Sequence, residues 1–92
     1  MSALSSEAIT QHLVTLPDWR LENGALARSF SFTDFSEAMS FVNSVAAVAE
    51  HAGHHPDIDI RYNKVQLALS SHDAGGITNK DFLLAAEIGK IL

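Results

Sequence analysis

The sequence predicts a single α+β domain over residues 1–92, a two-layer sandwich in which three helices cover one face of a four-stranded antiparallel sheet. Three observations predict this fold. Two pairs of strand-like segments each flank a short turn signal, so each pair can form a hairpin. Three further segments have apolar residues at the spacing of an amphipathic helix. The order along the chain is α-β-β-α-β-β-α, and a composition of 47% apolar and 18% charged residues is typical of a globular protein.

The first helix and the first hairpin occupy residues 5–32. Two serines can cap a helix that begins near Glu7 and ends before Pro17. The dipeptide Asn23-Gly24 then separates two alternating segments, and it is the strongest short hairpin signal because both turn residues must tolerate positive φ. In that register Arg28 interrupts an otherwise apolar face. The apolar members of this face are Trp19, Leu21, Leu26, Phe30 and Phe32.

The central helix has the clearest pattern in the chain. Asp34 and Glu37 have capping-box spacing at its start, although Asp replaces the usual Ser or Thr. Gly53 ends the helix, and Pro56 prevents it from resuming. An apolar stripe over about four turns predicts a core or subunit-interface face. The stripe contains Phe35, Ala38, Met39, Val42, Val45, Ala46 and Ala49.

The second hairpin spans residues 57–72. Apolar residues alternate with polar ones on both sides of Asn63-Lys64, which we interpret as a two-residue turn. In that register Ile60 faces Leu67 across the hairpin.

The last helix follows Gly75-Gly76, which we interpret as a turn. The two glycines are not a phosphate-binding loop, because no Lys-Ser/Thr follows them. Thr78 can cap this helix, with Asp81 at the third helical position. Thr78 and Asp81 could also form a catalytic pair, but their spacing favours the capping box. The apolar stripe of the helix contains Leu84, Ala85, Ile88, Ile91 and Leu92.

Composition and charge exclude several classes of function. The chain has no cysteine, which excludes disulfides, thiolate nucleophiles and zinc–thiolate sites. A formal net charge of −5 disfavours direct binding to nucleic acid or to an anionic membrane. The first residues lack the features of a signal peptide, and no apolar stretch approaches the length of a membrane span. We therefore expect a cytoplasmic protein.

Four of the five histidines fall between positions 51 and 72. Extending the second hairpin places His55 opposite His72, where directly opposed Cβ atoms are about 5 Å apart. His54 lies beside them in the turn that leaves the central helix. Imidazole exchanges its proton near neutral pH, so several imidazoles at one site indicate general acid–base chemistry. We interpret His12 and His51 as surface residues.

Each histidine also has a structural alternative as a solvated or hydrogen-bonded loop residue. Zinc binding is another alternative, because three imidazoles and a carboxylate could hold the ion. However, His54 and His55 are adjacent and point to opposite faces of an extended backbone, and the helical His-Glu-x-x-His spacing is absent. We predict no metal. Glu50 ends the central helix, and its closeness to His54 leaves a supporting role open.

These residues stand at the spacing of a family signature. Its fixed positions are Glu50, His54-His55-Pro56, Tyr62, His72 and Asp81, and residues 62–65 and 71–78 agree with the same pattern. By this signature the chain resembles the pterin-4a-carbinolamine dehydratases over nearly its whole length.

The resemblance implies a lyase, 4a-hydroxytetrahydrobiopterin dehydratase, that needs no metal or organic cofactor. Its substrate is the 4a-hydroxytetrahydropterin left by aromatic amino-acid hydroxylases, which loses water to give quinonoid dihydropterin for recycling. It implies three active-site histidines. We assign the proton transfers to His54 and His72, without distinguishing acid from base, and the orientation of the pterin to His55. Glu50 and Asp81 are expected to support them. The implied substrate contacts are these histidines with Pro56, Ser71, Asp73 and Ala74.

The resemblance also implies a homodimer or homotetramer, for which the apolar central helix offers a buried surface. Two alternatives to tetrahydropterin recycling stay open. One is a non-catalytic dimerisation or transcriptional-coactivator module on the same fold, since animal members also bind a homeodomain transcription factor. The other is a role in a different pterin pathway, such as that of molybdopterin. The sequence identifies no protein client, and residues 58–61 are more charged than in animal members, so the outer contacts to the pterin are expected to differ.

Overall fold

The computed structural model describes residues 2–92 and confirms the predicted α+β two-layer sandwich. The elements follow the predicted order and have these bounds: α1 Ser6–Leu13, β1 Arg20–Glu22, β2 Ala25–Ser31, α2 Phe35–Ala52, β3 Asp57–Arg61, β4 Lys64–Leu69 and α3 Asn79–Gly89. The four strands form one antiparallel sheet in the order β1-β2-β4-β3. A short 3₁₀ helix, His72–Ala74, lies between β4 and α3.

The first hairpin has the predicted turn and register. Asn23 and Gly24 take φ values of +50° and +77°, and Leu21 pairs with Leu26. Leu26 and Trp19 are buried, as predicted, whereas Leu21 stays 52% exposed. The difference arises because β1 is a three-residue strand at the edge of the sheet.

Side-chain caps fix where α1 and α2 begin. Ser5 Oγ accepts a hydrogen bond from the Ala8 N–H at the start of α1. At the start of α2, Asp34 Oδ1 accepts from the Glu37 N–H at 2.8 Å. The Glu37 carboxylate reaches back to the N–H of Thr33 at 3.1 Å, one residue earlier than in a standard capping box.

The buried face of α2 differs in part from the predicted stripe. Phe41 is buried although the stripe omitted it, and its ring centroid lies 4.6 Å from that of Phe30. Its position follows from the helical period, since it lies three residues after Ala38 on the same face. Phe35 and Ala46 were predicted to share this face but are exposed. The stripe residues that are buried as predicted are Ala38, Val42, Val45 and Ala49.

The predicted turn at Asn63-Lys64 is wrong. The turn residues are Tyr62 and Asn63, so Ile60 pairs with Val65, two residues away from its predicted partner. A shift of two residues leaves every side chain on its predicted face, because side chains alternate along a strand. The shift does change which residues meet at the open end of the hairpin.

A contact outside the second hairpin accounts for the observed turn. The Phe32 N–H donates to the Asn63 carbonyl at 2.9 Å, and the Asn63 side-chain amide donates to the Phe32 carbonyl at 2.8 Å. These two bonds tie Asn63 to the end of β2. Tyr62 then takes the left-handed conformation, with φ of +54°, that closes the turn.

The core lies between the sheet and the helices, and the opposite face of the sheet is polar. That face has ion pairs within single strands, Arg20 to Glu22 at 2.8 Å and Arg61 to Asp59 at 3.1 Å. In α3 the predicted stripe is buried as far as Ile88, whereas Leu92 is exposed. No helix within residues 2–92 is long and apolar enough to cross a membrane. The largest fully buried apolar side chains are Leu26, Val45, Val65, Leu67, Leu69, Leu84 and Ile88.

Two glycine substitutions should change stability in opposite directions. At neither Gly24 nor Gly89 would an added Cβ meet another atom within 4 Å, so only the backbone conformation differs. Gly24→Ala should destabilise the protein by about 1 kcal/mol, since φ is +77° there. Gly89→Ala, at the end of α3, should stabilise it by about 0.5 kcal/mol through the unfolded-state entropy. Urea unfolding of both variants tests this expectation, and changes of the same sign would contradict it.

Candidate active site

Two loops meet at one end of the sandwich and contain most of the predicted site residues. Residues 53–56 connect α2 to β3, and residues 70–78 connect β4 to α3. Because β3 and β4 are antiparallel neighbours, the start of one lies beside the end of the other. The carboxyl end of α2 and the amino end of α3 therefore flank the same region.

The end of α2 fixes the backbone at His54. Gly53 takes the left-handed conformation with φ of +67°, and the His54 N–H donates to the Ala49 carbonyl at 3.2 Å. These are the features of a Schellman motif, which turns the chain sharply out of the helix. His54 Nε2 then lies 2.5 Å from Asp81 Oδ1, and the side chain of His54 is 15% exposed.

Asp81 is fully buried, and both of its carboxylate oxygens have hydrogen-bonding partners. Besides the contact with His54, its Oδ2 accepts from the Thr78 N–H and from Ser71 Oγ, each at 2.9 Å. The hydroxyl groups of Ser71 and Thr78 are 2.8 Å apart, and both residues are buried. The four residues form one hydrogen-bonded group, which we call the Asp81 network.

His55 has a different carboxylate partner from its neighbour. Its Nε2 is hydrogen-bonded to Glu50 Oε2, and the two side chains are 62% and 75% exposed. The adjacent histidines thus point to different surroundings, as expected for an extended backbone. Glu50, whose supporting role the sequence left open, is the hydrogen-bonding partner of His55.

The predicted opposition of His55 and His72 is wrong. β3 begins only at Asp57, which pairs with Ala68, so the observed register places Ser70 level with His55. The error follows directly from the two-residue shift at the turn. Within residues 2–92 the structure contains no hydrogen bond between the ring of His72 and that of His54 or His55.

His72 lies on the surface of the short 3₁₀ helix, directly after Ser71 of the Asp81 network. This helix ends at Gly75, which has φ of +73°, and the Ser71 N–H donates to the Gly76 carbonyl at 2.8 Å. This hydrogen bond and the turn at Gly75 fix the backbone of the loop that carries His72. Asp73 is exposed beside it.

The remaining predicted substrate contacts differ in exposure. Pro56 and Ala74 are half-buried, so each retains some accessible surface. Ser71 is buried, and its hydroxyl is directed to Asp81 and Thr78. The Ser71 hydroxyl is therefore used inside the protein and is not directed to the surface where a substrate would bind.

Two residues near His54 were missed as site residues by the sequence analysis. Thr78 was interpreted as a cap, with a catalytic pair as the alternative, and its hydroxyl belongs to the Asp81 network. Lys80 lines a cavity of about 140 Å³ together with His54 and the exposed Leu83. The capping-box spacing already indicated Thr78, whereas no local pattern distinguishes Lys80 from a solvated lysine.

The described residues contain no metal-binding group. Across residues 2–92, no three or more His, Asp or Glu side chains lie close enough together to hold a metal ion. In the Asp81 network the only imidazole is that of His54, and its other partners are hydroxyl and amide groups. These donors suit a carboxylate rather than a cation.

Comparison with known proteins agrees with the resemblance seen in the sequence. The family model for pterin 4 alpha carbinolamine dehydratase matches residues 2–91. A protein of Chloroflexus aggregans that is provisionally named a pterin-4-alpha-carbinolamine dehydratase is 57% identical over 93 aligned positions, which cover 100% of this chain and 99% of the relative.

Two solved structures have the same fold. A protein of Brucella melitensis described as a transcriptional coactivator/pterin dehydratase superposes with a TM-score of 0.92 and 33% identity, over 98% of each chain. A pterin dehydratase-like protein described as a RuBisCO assembly factor in the alpha-carboxysome gives a TM-score of 0.68 at 23% identity, over 80% of this chain and 88% of the other. The second likeness concerns the fold alone. With the family model matched over almost every residue, the chain belongs to the pterin 4 alpha carbinolamine dehydratase family.

Proposed function

We propose that this protein dehydrates a 4a-hydroxytetrahydropterin to quinonoid dihydropterin and water, as in the recycling of tetrahydrobiopterin. The main support is the pair formed by His54 and the buried Asp81, which lies beside a second histidine in the same loop. Membership of the family supplies the reaction class. Histidine is the residue type that proteins use most often for general acid–base catalysis.

The reaction requires two proton transfers and one bond cleavage. A general acid gives a proton to the C4a hydroxyl, which leaves as water when the C4a–O bond breaks. A general base takes the proton from ring nitrogen N5, and the electron pair of that N–H bond forms the N5–C4a double bond. No electrons are gained or lost, so acid–base groups suffice.

We assign the base to His54 and the acid to His72. An ionised carboxylate on one nitrogen of an imidazole orients the ring and stabilises the positive charge that the ring gains with a second proton. Asp81 stands in that relation to His54 at 2.5 Å. His72 is exposed at the neighbouring loop, where it can exchange protons with water between turnovers. His55, on the other side of His54, would orient the pterin together with Pro56, Asp73 and Ala74.

We also propose that the protein works as a homodimer or homotetramer. β3 is an edge strand of the described sheet, and its Ile58 is 38% exposed on the side that faces the helices. Phe35 at the start of α2 is 50% exposed. Apolar side chains at a strand edge and on a helix favour association between copies.

A second candidate function is a transcriptional coactivator, and it rests on the description of the Brucella melitensis structure. A module of that kind needs a protein surface but no imidazoles. The pair of Asp81 and His54 therefore favours the enzyme, because a scaffold needs the capping carboxylate of Asp81 but no imidazole on its second oxygen.

Replacing the two proposed proton-transfer residues should remove activity and leave the fold intact. His54→Ala combined with His72→Ala should lower the rate of dehydration of a synthetic 4a-hydroxytetrahydropterin by at least about 100-fold, because general acid and base groups each contribute on this scale. The rate is followed by the absorbance of the quinonoid product, and circular dichroism checks the fold.

His51→Ala provides the matched control for that experiment. His51 is exposed in the last turn of α2, three residues before His54. This variant should keep the wild-type rate. Full activity in the double variant would refute the assignment of His54 and His72.

The two histidine–carboxylate pairs should differ in their contribution to stability. Asp81→Asn should lower the free energy of unfolding by about 2–3 kcal/mol, because the amide nitrogen cannot accept the hydrogen bonds that the buried carboxylate accepts. Glu50→Gln should change it by less than about 1 kcal/mol, since an exposed pair contributes little. Urea unfolding measures both. Equal losses of unfolding free energy in the two variants would contradict the expectation that the buried pair contributes more to stability than the exposed pair.

The oligomeric state can be measured without substrate. Light scattering after size exclusion should give two or four times the mass of one chain at micromolar concentration. A mass equal to a single chain under those conditions would contradict the proposed dimer or tetramer.

A further inference from the structure

Two buried hydroxyl groups beside Asp81 have no part in the proton transfers described above. They belong to Ser71 and Thr78, each of which is only 2% exposed. Neither hydroxyl can reach bulk water, so each needs a hydrogen-bonding partner inside the protein. Both are hydrogen-bonded within the Asp81 network.

The hydrogen bonds of this network can run in only one direction. Asp81 Oδ2 accepts the Ser71 hydroxyl hydrogen and the Thr78 N–H, each at 2.9 Å. Because the Ser71 hydrogen is then used, the 2.8 Å contact between the two hydroxyls takes its hydrogen from Thr78. Thr78 Oγ1 accepts in turn from the Lys80 N–H at 3.3 Å. With Asp81 as a carboxylate, each of the two hydroxyl hydrogens therefore has one assigned place.

This order determines where the hydrogen between Asp81 and His54 lies. A carboxylate only accepts hydrogen bonds. Two donors already reach Oδ2, so Oδ1 is the acceptor that faces His54, and the hydrogen between them lies on Nε2. An imidazole with its hydrogen on Nε2 has its lone pair on Nδ1.

We propose that Ser71 and Thr78 are positioning residues, which act through Asp81 to hold the hydrogen of His54 on Nε2 and leave Nδ1 as the atom that takes the N5 proton. The kinetic part of this proposal rests on the proposed dehydratase function. The part that concerns the His54 hydrogen does not, and it can be measured without substrate.

The experiment compares variants that remove or keep each hydroxyl in the full-length protein. Ser71→Ala removes one hydroxyl, and Ser70→Ala is its matched control, since Ser70 is the adjacent residue and lies outside the Asp81 network. Thr78→Val removes the other hydroxyl at nearly constant volume, whereas Thr78→Ser keeps it. Two readouts are used: the rate at which the His54 Nε2 hydrogen exchanges with water, by nitrogen-15 NMR, and steady-state kinetics.

Wild-type protein should show a slowly exchanging hydrogen on His54 Nε2 and a lone pair on Nδ1. Ser71→Ala should speed this exchange by roughly tenfold and lower kcat by roughly tenfold, the equivalent of one hydrogen bond to a charged group. Thr78→Val should act in the same direction with a smaller effect, because the Thr78 hydroxyl bonds to Ser71 and not to the carboxylate. KM should change less, because neither hydroxyl touches substrate. Ser70→Ala and Thr78→Ser should stay within about twofold of wild type in both readouts. Backbone amide exchange in α3, recorded on the same samples, should change less in Ser71→Ala than the exchange of the His54 Nε2 hydrogen does, which separates a loss of positioning from a general loss of stability.

Two results would overturn the proposal. One is a wild-type His54 with its hydrogen on Nδ1. The other is a Ser71→Ala variant whose Nε2 exchange and kcat equal those of wild type. Absence of dehydratase activity in the wild type would instead refute the proposed function, and the NMR result would still decide whether Ser71 and Thr78 position the His54 hydrogen.

Discussion

The buried carboxylate of Asp81 is the group on which the arrangement of the site depends. An ionised carboxylate without access to water is unfavourable unless donors surround it. Its donors come from three segments: His54 in the loop after α2, Ser71 in the loop after β4, and Thr78 at the start of α3. One side chain therefore ties two loops to a helix. The stability of this end of the sandwich and the orientation of His54 result from the same hydrogen bonds.

The two adjacent histidines differ because of how α2 ends. Gly53 turns the chain out of the helix, and on the extended backbone that follows, His54 points inward and His55 outward. The inward ring is held by a buried acceptor, whereas the outward ring has only an exposed partner in Glu50, and exposed pairs restrict a side chain weakly. A base that removes the proton of one ring nitrogen needs a fixed position, while a group that orients a planar ligand has to adapt as the ligand enters. The assignment of His54 to proton transfer and of His55 to orientation follows this difference.

The sequence predicted the fold well where a turn is determined by its own residues. Asn23-Gly24 favours positive φ at both positions, and the first hairpin has the expected register. The second turn depends on Asn63, whose side chain and carbonyl bond to Phe32, 31 residues earlier in the chain. A local pattern contains no information about such a partner. The resulting two-residue error left the faces of the strands correct and moved His55 away from its predicted place opposite His72.

The site was predictable to the same extent and for the same reason. The spacing of Thr78 and Asp81 predicts a capping box, which the structure confirms, but no local rule connects Asp81 to His54, 27 residues before it. The capping role and a role in the site had been treated as alternatives. They are compatible because a carboxylate accepts at two oxygens. The cap uses Oδ2 and leaves Oδ1 free for His54, so the residue that begins α3 also orients the histidine of the loop opposite. A capping box with a buried acidic residue is therefore a reason to look for a distant donor.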